Sequence, residues 1–236
     1  SIYEDVFKVE PGCVITFDAH GKKIDEVEYW SFQDVFREGV RNRYKGGPEE
    51  AVVDLTSVLS QAVALQMESD VPLGAFLSGG VDSSMIVALM QSQSAQAIST
   101  FSIGFEDAAF NEAEYARDVA KHIGTNHHDM YVSGSDALDV IPNLPSIYDE
   151  PFADSSQIPT YLVSKIAKER VTVSLSGDAG DELFGGYTRF QTATNAWNRV
   201  KKIPAPVRSL ASWSIQAAPA KLLDKSISVF GGVINK

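Results

Sequence analysis

Two short stretches hold the residues whose types and spacing could do chemistry. The first is Ser78-Gly79-Gly80-Val81-Asp82-Ser83-Ser84 and the second is Ser176-Gly177-Asp178-Ala179-Gly180-Asp181-Glu182. In the first, paired glycines allow a tight bend and leave backbone N–H groups uncovered, while Asp82, Ser83 and Ser84 are candidate caps for a following helix. Such N–H groups, with the helix dipole behind them, hold phosphate oxygens without any cationic side chain. No lysine follows the glycines, so this is not a Walker A loop. A bare Gly-Gly would suit any strand-to-helix turn; Asp82 and the paired serines favour an anion cradle. The second stretch carries Asp178, Asp181 and Glu182. Three carboxylates beside a phosphate site repel one another unless a cation joins them. Magnesium needs only one or two carboxylates and fills its octahedron with phosphates and water, so Asp82 and Asp181 are sufficient.

Each stretch follows an apolar run that reads as a buried strand. Leu73, Ala75, Phe76 and Leu77 precede the first, and Val171 to Leu175 precedes the second. After the first, Met85, Ile86, Val87, Leu89 and Met90 make a helix buried on more than one side. An earlier helix starts at Pro48, with Glu49 and Glu50 in its first turn and Val52, Leu55, Leu59, Ala62 and Val63 turned to the sheet. Ala97 to Phe105 is a second strand, residues 111–124 a helix ended by Gly124, and residues 126–133 a third strand. Strand, helix, strand, helix, strand demands a parallel sheet with right-handed crossovers, and ligands bind beyond the carboxyl ends of its strands. The phosphate loop lies at one such end and Ile103-Gly104 at the next. His127 and His128 do not make a metal site, because neighbours on a strand point to opposite faces.

Ser78 to Ser84 resembles the pyrophosphate loop of the ATP pyrophosphatase superfamily, which cuts ATP between its α and β phosphates. Val171 to Tyr187, VTVSLSGDAGDELFGGY, resembles the second signature of glutamine-hydrolysing asparagine synthetases, with Asp178 standing where some members carry Glu. Ile147 to Ile158, IYDEPFADSSQI, is similar to a DEP-x-ADPS segment of that family, departing at Ser155; Asp149 and Glu150 there are either site residues or helix N-terminal charge. The resemblance implies a three-layer α/β fold, with a mostly parallel twisted sheet and helices on both faces (adenine nucleotide alpha hydrolase-like), preceded by a β-hairpin. It implies ATP and magnesium as cofactors and adenine contacts from the backbone of Phe76 or Leu77 and of Ile103 beside Gly104. Ser176 and Gly177 would contact the nucleotide, Asp82 and Asp181 would bind magnesium, and Asp178 would sit near the reacting centre. The implied reaction is adenylation of a carboxylate, with aspartate the leading substrate, followed by ammonia transfer to give an amide and AMP.

The rest of the chain sets bounds. Residues 1–36 read as a hairpin and linker, resembling the tail of the family's glutaminase half, so that the chain is expected to begin in mid-protein with the ammonia-generating half elsewhere. Residues 37–47 read as a loop, 48–190 as the synthetase core and 191–236 as the helical start of a truncated C-terminal region, broken into short helices by Pro204, Pro206 and Pro219. The family's tail lysine is not placed: Lys201, Lys202, Lys221 and Lys225 are present, and no motif selects one. With 20 basic against 31 acidic residues, nucleic-acid binding is not expected. The single cysteine, Cys13, reads as a small buried hydrophobe in a reducing, cytoplasmic setting. No run reaches the roughly 18 apolar residues of a membrane span. Oligomeric state is not readable, a homodimer being one arrangement left open. A different carboxylate (a sugar acid, a β-lactam precursor or a peptide) and a catalytically silent nucleotide-binding core stand as alternatives. A dinucleotide oxidoreductase fails on glycine spacing.

Overall fold

Four strands, in the order β5 (Asn126–Val132), β4 (Ser99–Phe105), β3 (Leu73–Phe76) and β6 (Val173–Leu175), every neighbouring pair parallel, form the sheet around which the site is built. The structure, a computed structural model, describes residues 1–105 and 111–217; Pro219, Lys221 and Lys225 lie outside the described residues. An antiparallel hairpin comes first, β1 (Cys13–Phe17) and β2 (Lys23–Glu28), then helices α1 (Phe32–Arg41) and α2 (Pro48–Met67). The sheet proper starts with β3 (Leu73–Phe76), α3 (Val81–Ser92), β4 (Ser99–Phe105), α4 (Ala113–Ile123) and β5 (Asn126–Val132). Then come α5 (Gly134–Val140), a 3-10 turn, α6 (Leu144–Tyr148), α7 (Gln157–Ala167) and β6 (Val173–Leu175).

Strand alternation distributes the core between two faces. Ala75 of β3 and Leu77 just beyond its end pack with Val63, Val87, Met90, Ala116 and Ala120, so α2, α3 and α4 share one face. Phe76 and Phe101 pack with Val163, Ile166 and Ala167, which puts α7 on the other. The three-layer arrangement expected from the sequence is therefore present. Leu77, Val87, Met90 and Phe101 are almost completely buried. Each such side chain contributes about 1.5–3 kcal/mol, so these hold the sheet and its helices in register. Gly124, left-handed at φ 87, ends α4 as expected.

Three expectations need correction. Residues 37–41 are helical, not loop: Phe32, Val35, Phe36 and Val40 recur at helical spacing through the charged stretch and carry α1 to Arg41. The first half of α2 does not pack on the sheet; Val52 and Leu55 are exposed, and burial starts near Val63, because α2 extends beyond the sheet it covers. The tail helices are not short. Thr188–Val200 and Ala205–Ala217, α9 and α10, are 13 residues each, and Pro206 falls in a first turn, where its missing N–H costs nothing.

Two compact units divide between Asp178 and Ala179, inside the span read as one core. Ala179 takes a left-handed conformation, φ 70, and starts the second unit, which holds α8 (Gly180–Phe184), α9 and α10.

Ser133 and Asp136 form a capping box on α5, the Ser133 hydroxyl accepting the Asp136 N–H and the Asp136 carboxylate accepting from Ser133 N–H and hydroxyl. These bonds, the hydroxyl first, hold the Asp136 carboxyl below the usual aspartate range. A depressed acid contributes stability that is present above its unfolded pKa and lost as pH falls through the folded one. The protection factors of the α5 amides, taken against intrinsic exchange at the same pH, are accordingly expected to fall in acid, with Asp136 titrating below an ordinary aspartate by NMR. An ordinary titration would refute the box.

Candidate nucleotide and phosphate site

The phosphate loop sits where the sheet changes direction. From β3 the chain proceeds to β4 and β5 on one side and returns to β6 on the other, so the crevice beyond β3 and β6 is the topological switch point. Gly79 makes the bend at φ +82, and a Cβ there would fall 2.7 Å from the Ala116 nitrogen, so only glycine lets α4 close on the turn.

Asp82, Ser83 and Ser84 do not cap α3; they lie within its first turn. Gly80, extended at φ −70 and ψ 162, takes the cap position and has no side chain to offer, which leaves the first-turn amides without a side-chain cap. Ser83 braces the loop instead. Its Oγ accepts the Ser78 N–H at 3.2 Å and lies 2.9 Å from Ser78 Oγ, which in turn accepts the Gly80 N–H at 3.2 Å. The Ser84 hydroxyl is buried with no hydrogen-bond partner. An orphaned hydroxyl costs about 1–3 kcal/mol, and this one stands one turn into the helix whose first amides have no side-chain cap.

The second loop closes on the first. A Cβ on Gly177 would lie 2.6 Å from the Ser83 nitrogen and 2.7 Å from the Asp82 carbonyl carbon, so the backbone of the turn after β6 rests directly on the start of α3. Ser176 Oγ donates to Asp178 Oδ2 at 2.9 Å. The structure thus brings Ser78 to Ser84 together with Ser176 and Gly177, and holds Asp178 on the same turn.

Next to the loop, a cavity of about 660 Å³ opens between the ends of β3 and β4 and the starts of α4 and α7. Phe76, Leu77, Ser78 and Ile103 line it. Gly104 does not line it; a Cβ there would meet Asn111 Oδ1, Ala113 Cβ and the Tyr131 ring at 2.9 Å each, so Gly104 admits the start of α4 over the end of β4. Asn111, Glu112, Tyr115 and Thr160 also line the cavity and were not singled out from the sequence. For Asn111 and Glu112 a signal was present, since both stand just before the helix that follows β4; Tyr115 and Thr160 lie inside their helices and carry no such signal.

In the second unit, Asp181 and Glu182 occupy the first turn of α8. Glu182 accepts the Tyr187 hydroxyl at 2.7 Å, a bond that holds the carboxyl below its usual range and pushes the tyrosine up, and the Arg189 guanidinium lies 4.0 Å over the Tyr187 ring. Asp181 folds against Gly186, where a Cβ would fall on its carboxylate. The described residues contain no group of three ligating side chains. Asp82, in the first turn of α3, and Asp181, in the first turn of α8, each offer a carboxylate of the kind magnesium takes while it fills the rest of its shell with phosphate and water.

Two other candidates are accounted for. His127 bonds the Thr100 and Ser102 hydroxyls at 2.9 and 3.2 Å, while His128 stacks on Phe101 across the sheet; burial lowers both pKa values, and neither joins a ligand cluster. Cys13 is half-buried rather than buried, and partial burial together with Glu28, Glu26 and Glu10 pushes its thiol up, away from the thiolate a nucleophile needs. No described helix is long and apolar enough to cross a membrane.

Comparison with known proteins agrees with the motifs. The family model described as asparagine synthase matches residues 54–231. The chain is 39% identical over 217 residues to putative glutamine-hydrolysing asparagine synthetase 2 of Methanocaldococcus jannaschii, covering 90% of this chain and 40% of that protein. It is 32% identical over 219 residues to glutamine-hydrolysing asparagine synthetase 1 of Bacillus subtilis, covering 90% and 34%. The chain therefore spans well under half the length of these relatives. Among solved structures, an NH3-dependent NAD synthetase from Campylobacter jejuni aligns over 57% of this chain and 59% of its own, with a TM-score of 0.40 and 13% identity.

Proposed function

Because the chain belongs to the asparagine synthase family, we propose that it is the ATP-dependent amide-forming part of such an enzyme, with aspartate as the carboxylate. The observation that carries this reading is the uncapped start of α3, with the buried Ser84 hydroxyl unpartnered and the Gly177 backbone laid against it. A carboxylate is a poor electrophile. Its oxygen attacks the α-phosphorus of ATP, the bond to pyrophosphate breaks, and ammonia then displaces AMP from the acyl adenylate to leave the amide.

The residues divide this work. The amides of the α3 start, with Ser78 and Ser84, hold the departing pyrophosphate, whose charge rises as the bond breaks. Phe76, Leu77 and Ile103 seat the adenine, while Ser176 and Gly177 hold the middle of the nucleotide. Asp178, steadied by the Ser176 hydroxyl, stands near the reacting centre. Asp82 and Asp181 would hold magnesium, which would supply charge neutralisation to the phosphates. Ammonia comes from a glutaminase domain of the parent protein, in keeping with relatives that are glutamine-hydrolysing asparagine synthetases.

The test is pyrophosphate release from ATP and magnesium with ammonium supplied directly, aspartate being compared with sugar acids, peptides and other carboxylic acids. Release with aspartate alone is the expected result. Release with a different acid would replace the substrate and keep the chemistry. ATP binding by calorimetry without release from any acid would leave a silent nucleotide-binding core, and a folded chain that does not bind ATP would overturn the phosphate site.

A further inference from the structure

Asp149 and Glu150 turn out to face neither the phosphate loop nor a helix start. Glu150 Oε2 accepts the Ile2 N–H at 3.1 Å, its Oε1 pairs with Lys8 Nζ, and the Tyr3 hydroxyl donates to the Asp149 carbonyl. Three bonds from residues 2–8 thus converge on two residues nearly 150 positions later in the chain. The turn they grip is a strained one, because Asp149 is left-handed at φ 59 without being glycine.

The same turn is bolted to the start of α7. The Tyr148 hydroxyl donates to the Gln157 carbonyl at 3.1 Å, the Gln157 side chain donates to the Phe152 carbonyl at 3.1 Å, and the Tyr148 and Phe152 rings lie 5.0 Å apart. Two and three residues beyond Gln157, Pro159 and Thr160 wall the cavity assigned to adenine. We propose that residues 2–8 are a latch, with Glu150 as a positioning residue, and that closing this latch orders the 148–157 turn and so sets the α7 wall of the nucleotide cavity. This rests on the reading of that cavity as the nucleotide site. Pull or release on residues 2–8 then reaches the nucleotide through one ion pair and one short helix start.

The experiment measures amide hydrogen exchange by mass spectrometry on the full chain and on Glu150→Gln, Lys8→Gln and the double variant, beside calorimetric titration with ATP and magnesium. Each single change is expected to speed exchange over residues 148–162 roughly threefold to tenfold, and the double variant no more than the larger single one. ATP affinity is expected to fall by a comparable factor. Parental exchange rates over 148–162 in Lys8→Gln, or multiplying effects in the double variant, would overturn the latch. Accelerated exchange with unaltered ATP affinity would overturn its coupling to the cavity. A parent chain that fails to bind ATP counts against the nucleotide reading alone, since the exchange arm contains no nucleotide and decides the latch by itself.

Discussion

Asp82→Asn is expected to lower pyrophosphate release by about a hundredfold to a thousandfold while leaving the chain folded. The substitution keeps the shape of the side chain and removes its charge. Asp82 is the acidic residue of the first turn of α3, half exposed and outside the buried core. Its loss therefore costs the fold only a helix-terminus interaction of about 0.3–1 kcal/mol, and thermal unfolding should barely move. In the proposed magnesium role Asp82 supplies one of few carboxylates, and its loss cannot be made good by another. Asp181→Asn should match it in size, and raising magnesium should recover part of both. Release at the parental rate in Asp82→Asn, with ATP bound as before, would remove Asp82 from the metal site. A deficit in Asp82→Asn alone would remove Asp181.

Gly177→Ala is expected to weaken ATP binding at least about tenfold and to destabilise the chain by about 1–3 kcal/mol. The added carbon would stand 2.6 Å from the Ser83 nitrogen and 2.9 Å from its Cα. Both are main-chain atoms, so no rotamer relieves the overlap. Either the turn after β6 lifts or the first turn of α3 shifts, and in each case the amides that would hold phosphate lose their alignment. Gly134→Ala is the control. Nothing lies within 4 Å of a Cβ there, in the first turn of α5, so it should be neutral or stabilising by about 0.4–1 kcal/mol. Calorimetry with ATP and denaturant unfolding on the two variants checks the pair. Equal behaviour would show that the two loops do not depend on close backbone approach.

The order of strands and helices through β5 was legible because each apolar run is short and punctuated, and the helix after Asn111 keeps its alanines on one side. The loop itself was legible as an anion site, yet its capping was misread: Asp82 and the serines have cap chemistry, and only the backbone conformation of Gly80 reveals that α3 starts one residue before them. Composition misled at residues 37–41, where charges suggested loop while the spacing of Phe32, Val35, Phe36 and Val40 ran on through the boundary. Val52 and Leu55 failed differently. Their spacing marks a helix, and periodicity cannot say where along a helix its neighbour ends. Tyr115 and Thr160 at the cavity, and Glu150 at the latch, depend on pairings between distant segments that no local pattern encodes.

The proposed grip on phosphate comes from main-chain amides, braced by Ser78 and Ser83. Main-chain groups are inherited unchanged through almost any substitution that preserves the turn. A lineage built on this loop can therefore drift widely in the side chains that choose the acid to be activated without rebuilding the apparatus that handles the leaving group.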